Sequence, residues 1–302
     1  MNAVKKALAE KGLADSTIDH HLAMLRTLNN GKDPKSLAFL HKTEDIAKTI
    51  AEHYAPSTQK TAYSTIVSVL TSVKDKPVYR KTYQTYYDEM MRLASEESGK
   101  KTEEKSEKQT ENWLGWKEVQ DKREELCKNA PDGLHCLLLS LYTEIQPRRN
   151  QDYLLMKVVK KTPTETDANY LVLEKGKPKR FIFNKYKTAK KYGTQTVEIP
   201  PSLATTLTAY LKSHPLAKTD AYPLLVADGK PLTAVNSITR ALNRIFGKKV
   251  GSSMLRHIYL SSKYDIAEMK KDAEGMGHSL NQQREYLKSE ASQSVTIPTA
   301  PQ

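Results

Sequence analysis

Apolar residues in the first third of the chain recur at the three- and four-residue steps of helices. Ile18, Leu22, Leu25 and Leu28 lie on one helical face behind Ser16, whose hydroxyl suits an N-cap. Ala62, Ile66, Val69, Leu70 and Val73 follow Ser57 in the same manner. Tyr79, Tyr83, Tyr86 and Met90 make a third stripe, expected in a core rather than as a platform for stacking bases. The pattern then stops: "SEESGKKTEEKSEKQTEN", from Ser95 to Asn112, holds no large apolar residue and predicts a solvated linker. Beyond Trp113 an apolar helix is expected over 134–144. Alternation in "YLVLE" (170–174), "RFIFN" (180–184) and "TVEIP" (196–200) predicts strands. Helical spacing resumes over 201–213, 233–246 and 255–264, and a polar tail with Pro298 and Pro301 closes the chain.

These elements predict a mainly α protein with a small antiparallel β-sheet in its second domain. A length of 302 residues suits two modest cores. The expected division is a helical domain over 1–95, a linker over 96–112, a second domain over 113–288 and a flexible tail over 289–302.

Charge narrows the choice of partner. Lys and Arg number 48 against 35 Asp and Glu, a net charge of +13, and this excess is spread along the chain. Such a field favours polyanions. No apolar run approaches the roughly 20 residues of a membrane span, and the N-terminal residues lack a signal-peptide core, so nucleic acid leads and an intracellular, DNA-associated setting is expected. Lys60, Thr61, Tyr63 and Ser64 share the outer face of their helix, either as solvated surface or as side chains that touch phosphates. Cys127 and Cys136 flank the turn Pro131-Asp132-Gly133 with no further Cys and no metal-spaced His beside them; reduced, buried thiols and no metal site are expected.

Three distant spans carry groups suited to chemistry on phosphate. In "TEIQPRRNQDYLLM" (143–156), Arg149 offers a planar fork for phosphate oxygens and Asp152 is placed to hold that fork; Arg148 competes for the role. In "FNKYKTAKKYGTQTVEIP" (183–200), a lysine-rich turn between strands can enter a groove and hand a proton to a leaving oxygen. In "GSSMLRHIYLSSKY" (251–264), Arg256 stands before His257, and Gly277-His278 and Tyr286 follow.

Taken in order, these groups resemble the catalytic constellation of the tyrosine recombinase (phage integrase) family, over the second domain by motif and over the first by layout only. The resemblance implies Arg149 as the first catalytic arginine with Asp152 in support, and Lys187 as general acid with Lys185 in reserve. It further implies Arg256 as the second arginine, His278 of "MGHS" as a donor to phosphate, and Tyr286 as nucleophile. Lys185, Lys190 and Lys191 of the hairpin, with Lys60, Thr61 and Tyr63, become candidate DNA contacts. Two departures stand out. Gln146-Pro147 replaces the usual Thr-Gly before the first arginine, which resembles recombinases of eukaryotic viruses and mobile elements. Ser253 occupies the place of the family's usual histidine, and serine is a poor proton acceptor, leaving His257, His278 or water to take the phenolic proton.

What the resemblance implies as a whole is a two-domain DNA clamp that cleaves and rejoins double-stranded DNA through a 3'-phosphotyrosyl link. It implies no cofactor, and a homotetramer on two DNA sites that accessory proteins can join. A type IB topoisomerase, or a recombinase relative that binds DNA without chemistry, are the rival readings.

Overall fold

The computed structural model describes residues 2–99, 105–217, 219–265, 268–269 and 276. The chain divides into two compact units, Met1–Glu104 and Lys105–Gln302.

The first unit is helical: α1 (Asn2–Ala9), α2 (Asp15–Leu28), α3 (Thr43–His53), α4 (Pro56–Leu70) and α5 (Pro77–Gly99), with a 3-10 turn over Ala38–His41. The stripes read from the sequence point inward. Ile18, Leu22, Leu25 and Leu28 of α2 are buried, as are Ala62, Ile66, Val69 and Leu70 of α4. Both helices begin earlier than their serines suggest: α2 is preceded by Ala14 and α4 by Ala55, neither with a side-chain cap, and Pro56 opens α4 with a backbone already set for a helix. Tyr86 is 1% exposed and its hydroxyl donates to the Leu40 carbonyl at 2.8 Å, so the aromatic stripe of α5 is core.

The segment expected as linker is in large part helical. Helix α5 runs on to Gly99, and Ser106 starts α6 (Glu107–Asn112) with a reciprocal capping box to Gln109. Polar composition hid these turns because an exposed helix needs no apolar face; a cap and good propensity suffice.

The second unit continues with α7 (Trp116–Asn129), α8 (Leu134–Thr143) and the short α9 (Asn150–Leu154). Then come β1 (Lys157–Val159), β2 (Tyr170–Glu174), β3 (Lys177–Phe183), α10 (Ala189–Tyr192), β4 (Gln195–Glu198), α11 (Pro201–Lys212), β5 (Ala221–Pro223), β6 (Val226–Ala227), β7 (Lys230–Pro231), α12 (Ser237–Phe246) and α13 (Ser252–Lys263). The main sheet has the order β4-β3-β2-β1-β5 and is mixed: β1 and β2 are parallel, pairing Lys157 with Tyr170, and its other pairs are antiparallel. The expected small antiparallel sheet is thus met in three of its four pairings, the parallel β1–β2 pair being the exception. Three-residue β1 is too short to show an alternation.

Side chains alternate across the sheet. Leu171, Leu173, Phe181 and Phe183 join Leu137, Leu138, Leu141 and Tyr142 of α8 in the main core, while Tyr170, Val172 and Ile182 form a smaller cluster with Val159. Each fully buried leucine here contributes about 1.5–3 kcal/mol relative to exposure. The turn through Gly133 folds α8 back along α7 and brings Cys127 and Cys136 to a Cα separation of 4.8 Å, where they form a disulfide. The expectation of two reduced thiols is overturned: spacing along the chain did not reveal that two helices return side by side. No helix among the described residues is long and apolar enough to cross a membrane.

Candidate functional site

Helix α8 ends where Pro147 approaches, because a residue before proline is pushed out of the helical region. The chain is then extended as far as Arg149, the N-cap of α9, at φ −76° and ψ 150°.

Arg148 turns inward. Its Nε donates to Asp152 Oδ2 at 2.9 Å, its Nη1 donates to Gln195 Oε1 at 2.9 Å, and its guanidinium lies 3.8 Å from the ring centroid of Phe183 and 5.2 Å from that of Tyr186. Asp152, expected to hold Arg149, thus holds Arg148. The carboxylate is 2% exposed, and burial lifts its pKa above the ordinary value even though Arg148 beside it pulls the other way. Its Oδ1 has no hydrogen-bond partner among the described residues.

Arg149 lies near Arg256 of α13, and its charge also reaches Asp152. Burial and then the Arg149 charge lower the Arg256 pKa, opposed by Asp152 and Tyr142. The Arg256 Nε donates to the Ser252 carbonyl at 3.2 Å, which orients the fork along its helix. Among the described residues neither Arg149 nor Arg256 has a salt bridge to a carboxylate, so two neighbouring cations are left with capacity for an anion. Tyr142 backs this corner; its hydroxyl donates to Asn150 Oδ1 at 2.7 Å, and Asn150 Nδ2 donates to Thr239 Oγ1 of α12 at 2.8 Å. Burial raises the phenol well above its usual range, so it stays a neutral donor.

The lysine-rich turn becomes a hairpin joining β3 to β4. Gly193, at φ 66°, ends α10 with a backbone that other residues rarely adopt. Lys185, Lys187, Lys190 and Lys191 are exposed, with the Lys191 ammonium 5.1 Å from the Tyr192 ring. Arg148 touches both arms through Tyr186 and Gln195, so arginine turn and lysine hairpin meet. On α13, Ser253 and His257 are exposed one helical turn apart. His278 and Tyr286 lie outside the described residues.

In the first unit, Thr61 and Ser64 are exposed and Lys60 is half-buried. Tyr63 is only 6% exposed and packs 6.2 Å from the Tyr86 ring, so its expected place on the outer face is corrected. It lines an open pocket of about 650 Å³ with Glu44, Asp88, Glu89 and Arg92, in which Arg92 is already paired with Glu89. The helix bends its periodicity inward at this position because α4 is wrapped on several sides, leaving a narrow outer face.

Sequence reasoning missed Asn150, Asn169, Gln195 and Tyr142. These are uncharged polar residues within or beside elements, and nothing in their spacing distinguishes them from solvated surface.

No family model matches the chain, and no curated protein matches it. Among solved structures the chain is similar to XerA recombinase, at a TM-score of 0.31 and 14% identity, over 96% of this chain and 95% of that one.

Proposed function

We propose that the protein is a DNA strand transferase of the tyrosine recombinase kind, cleaving and rejoining duplex DNA through a 3'-phosphotyrosyl intermediate. The observation that carries this reading is the corner where Arg149 and Arg256 lie close without a carboxylate salt bridge, beside a lysine hairpin held through Arg148. Charge grows on the oxygens of a phosphodiester as a fifth ligand arrives, and cations already in place stabilise it most. Arg149 and Arg256 take the non-bridging oxygens with His278. Tyr286 attacks phosphorus, its proton passing to an imidazole such as His257 or to water, and Lys187 protonates the departing 5'-oxygen. Ser253 donates a hydrogen bond to the phosphate. Lysines and arginines of both units contact the duplex, and a tetramer joins two sites.

The test is a suicide substrate nicked beside the cleavage point. The expected result is a covalent adduct and strand joining, with the attached peptide mapping to Tyr286 and the adduct lost in Tyr286→Phe while salt-sensitive binding remains. An adduct mapped to Tyr259 or Tyr264 moves the nucleophile, relaxation without joining favours a topoisomerase, and binding without an adduct removes the chemistry.

A further inference from the structure

An exposed lysine on a hairpin tip is useful as a proton donor only if the hairpin base is held in place, because the tip itself has little packing to restrain it. At that base lies one buried amide. Asn169, 5% exposed, precedes β2, and its own carbonyl accepts from the Lys157 N–H of β1 at 2.9 Å, which fixes its backbone. Its side-chain Oδ1 accepts the N–H groups of Asn184 at 2.8 Å and Lys185 at 2.7 Å. Its Nδ2 donates to the carbonyls of Lys185 at 2.8 Å and Asp152 at 2.9 Å. All four hydrogen-bonding positions of the amide are used. Three contacts grip the first residues of the hairpin and the fourth grips α9, the helix that follows Arg149. Asn184 extends the tie: its Nδ2 donates to the Ala168 carbonyl at 2.9 Å, and its Oδ1 accepts from Thr194 Oγ1 on the returning arm at 2.8 Å.

We propose that Asn169 is a positioning residue that sets the lysine hairpin against α9, and thereby sets Lys187 relative to Arg149. This rests on reading the site as one for phosphodiester transfer. The geometry demands an amide of this length. Aspartate keeps the two acceptors but turns a charged oxygen on the carbonyls of Asp152 and Lys185; serine and threonine have too few groups for four partners; glutamine is longer by a methylene. Without the amide, two N–H groups and one carbonyl at the hairpin base and one carbonyl of α9 lose this partner, and the base opens.

The full chain carrying Asn169→Asp, and separately Asn169→Ala, is compared with the wild type in two measurements. In the first, amide hydrogen exchange is expected to rise in peptides covering 184–192 while β2 stays protected. In the second, single-turnover formation of the covalent complex is expected to fall roughly a hundredfold on an ordinary substrate, as for a misplaced catalytic group. On a substrate whose 5'-bridging atom is sulfur the rate should return to within about threefold of wild type, because a thiolate leaves without a proton. Lys187→Ala should show the same rescue. Equal loss on both substrates, or exchange unchanged at 184–192 in both variants, overturns the proposal. If Asn169→Ala does not fold, Asn169→Asp carries the test. If the wild type forms no covalent complex on either substrate, the functional reading fails and exchange alone decides the tie: a rise supports it and no change overturns it.

Discussion

Met1–Glu104 contains 16 lysines and arginines against 14 aspartates and glutamates, whereas Lys105–Gln302 contains 32 against 21. The first unit pairs two of its three arginines locally: Arg26 is 2.6 Å from Asp33, and Arg92 pairs with Glu89 and Glu96, while Arg80 is exposed. The second unit does so only in part. Arg148 is paired, Arg123 pairs with Glu144 and Arg180 with Glu174, while half-buried Arg149 and Arg256 lie near each other with no salt bridge among the described residues. Net charge therefore points to a polyanion for the whole chain, but the candidate site is marked by something narrower, namely two cations taken partly out of water that share the charge of Asp152 without a salt bridge to it. The aromatic residues differ in the same sense. Tyr63 and Tyr86 fill the core of the first unit, and Tyr142 of the second supports a polar network that reaches three helices.

The sharpest way to break this contrast lies between adjacent arginines. Arg148→Ala strands the buried Asp152 carboxylate, and we expect a loss of about 3–5 kcal/mol in the stability of the second unit. Arg149→Ala should cost less, about 1 kcal/mol, since Arg149 acts on Asp152 through its charge without a salt bridge, whereas Arg148 is bonded to it. Denaturant unfolding of the two variants decides; similar losses would mean that the division into a structural and a ligand-facing arginine is wrong.

Arg256→Ala should leave folding intact while single-turnover covalent-complex formation falls about a hundred- to a thousandfold, or roughly 3–4 kcal/mol in the barrier. Exposed Ser253 on the same helix should matter less, with Ser253→Ala about tenfold slower. Equal damage would make Ser253 an essential group.

In the first unit the effects should be confined to stability. Tyr86→Phe removes the donor to the buried Leu40 carbonyl and should cost about 1 kcal/mol in thermal unfolding, with covalent chemistry unchanged. Tyr63→Phe should leave DNA affinity at wild-type values in a salt titration; weakened binding with a reduced salt slope would return Tyr63 to the DNA surface.

The smallest effect is a pH dependence. His214 is 7% exposed, its Nδ1 accepts from the Leu216 N–H at 3.2 Å and its Nε2 lies 3.2 Å from the Leu224 carbonyl, so the ring is neutral with its proton on Nε2. Burial lowers its pKa, and a second proton would meet the Leu216 N–H. The folded value lies below the unfolded one, so the unfolded chain takes up the proton first as pH falls below about 6.5. The contribution is present above that pH and lost below it. The denaturant midpoint should fall between about pH 7 and about pH 5, and fall less in His214→Gln; an equal fall in both would remove His214 as the cause.

Periodicity alone carried α2, α4 and α5 of the first unit, helix α8, the three longer strands and helices α11 to α13, because a repeated apolar step is imposed by burial; α1 and α3 were not read from it. Arg149, Arg256 and the lysine turn were also singled out by residue type and order, as candidates for the proposed chemistry. Short or exposed elements were not: β1 is too brief for an alternation, and α6 has no apolar face to display. Nor did spacing reveal contacts between distant residues. That Asp152 holds Arg148 instead of Arg149, that Cys127 and Cys136 are bonded, and that Tyr63 points inward each depended on which way the backbone turned at one point and what then came to lie against it. Local pattern reports which face of a segment avoids water; the partner of a side chain is chosen by three-dimensional proximity, which only the folded chain supplies.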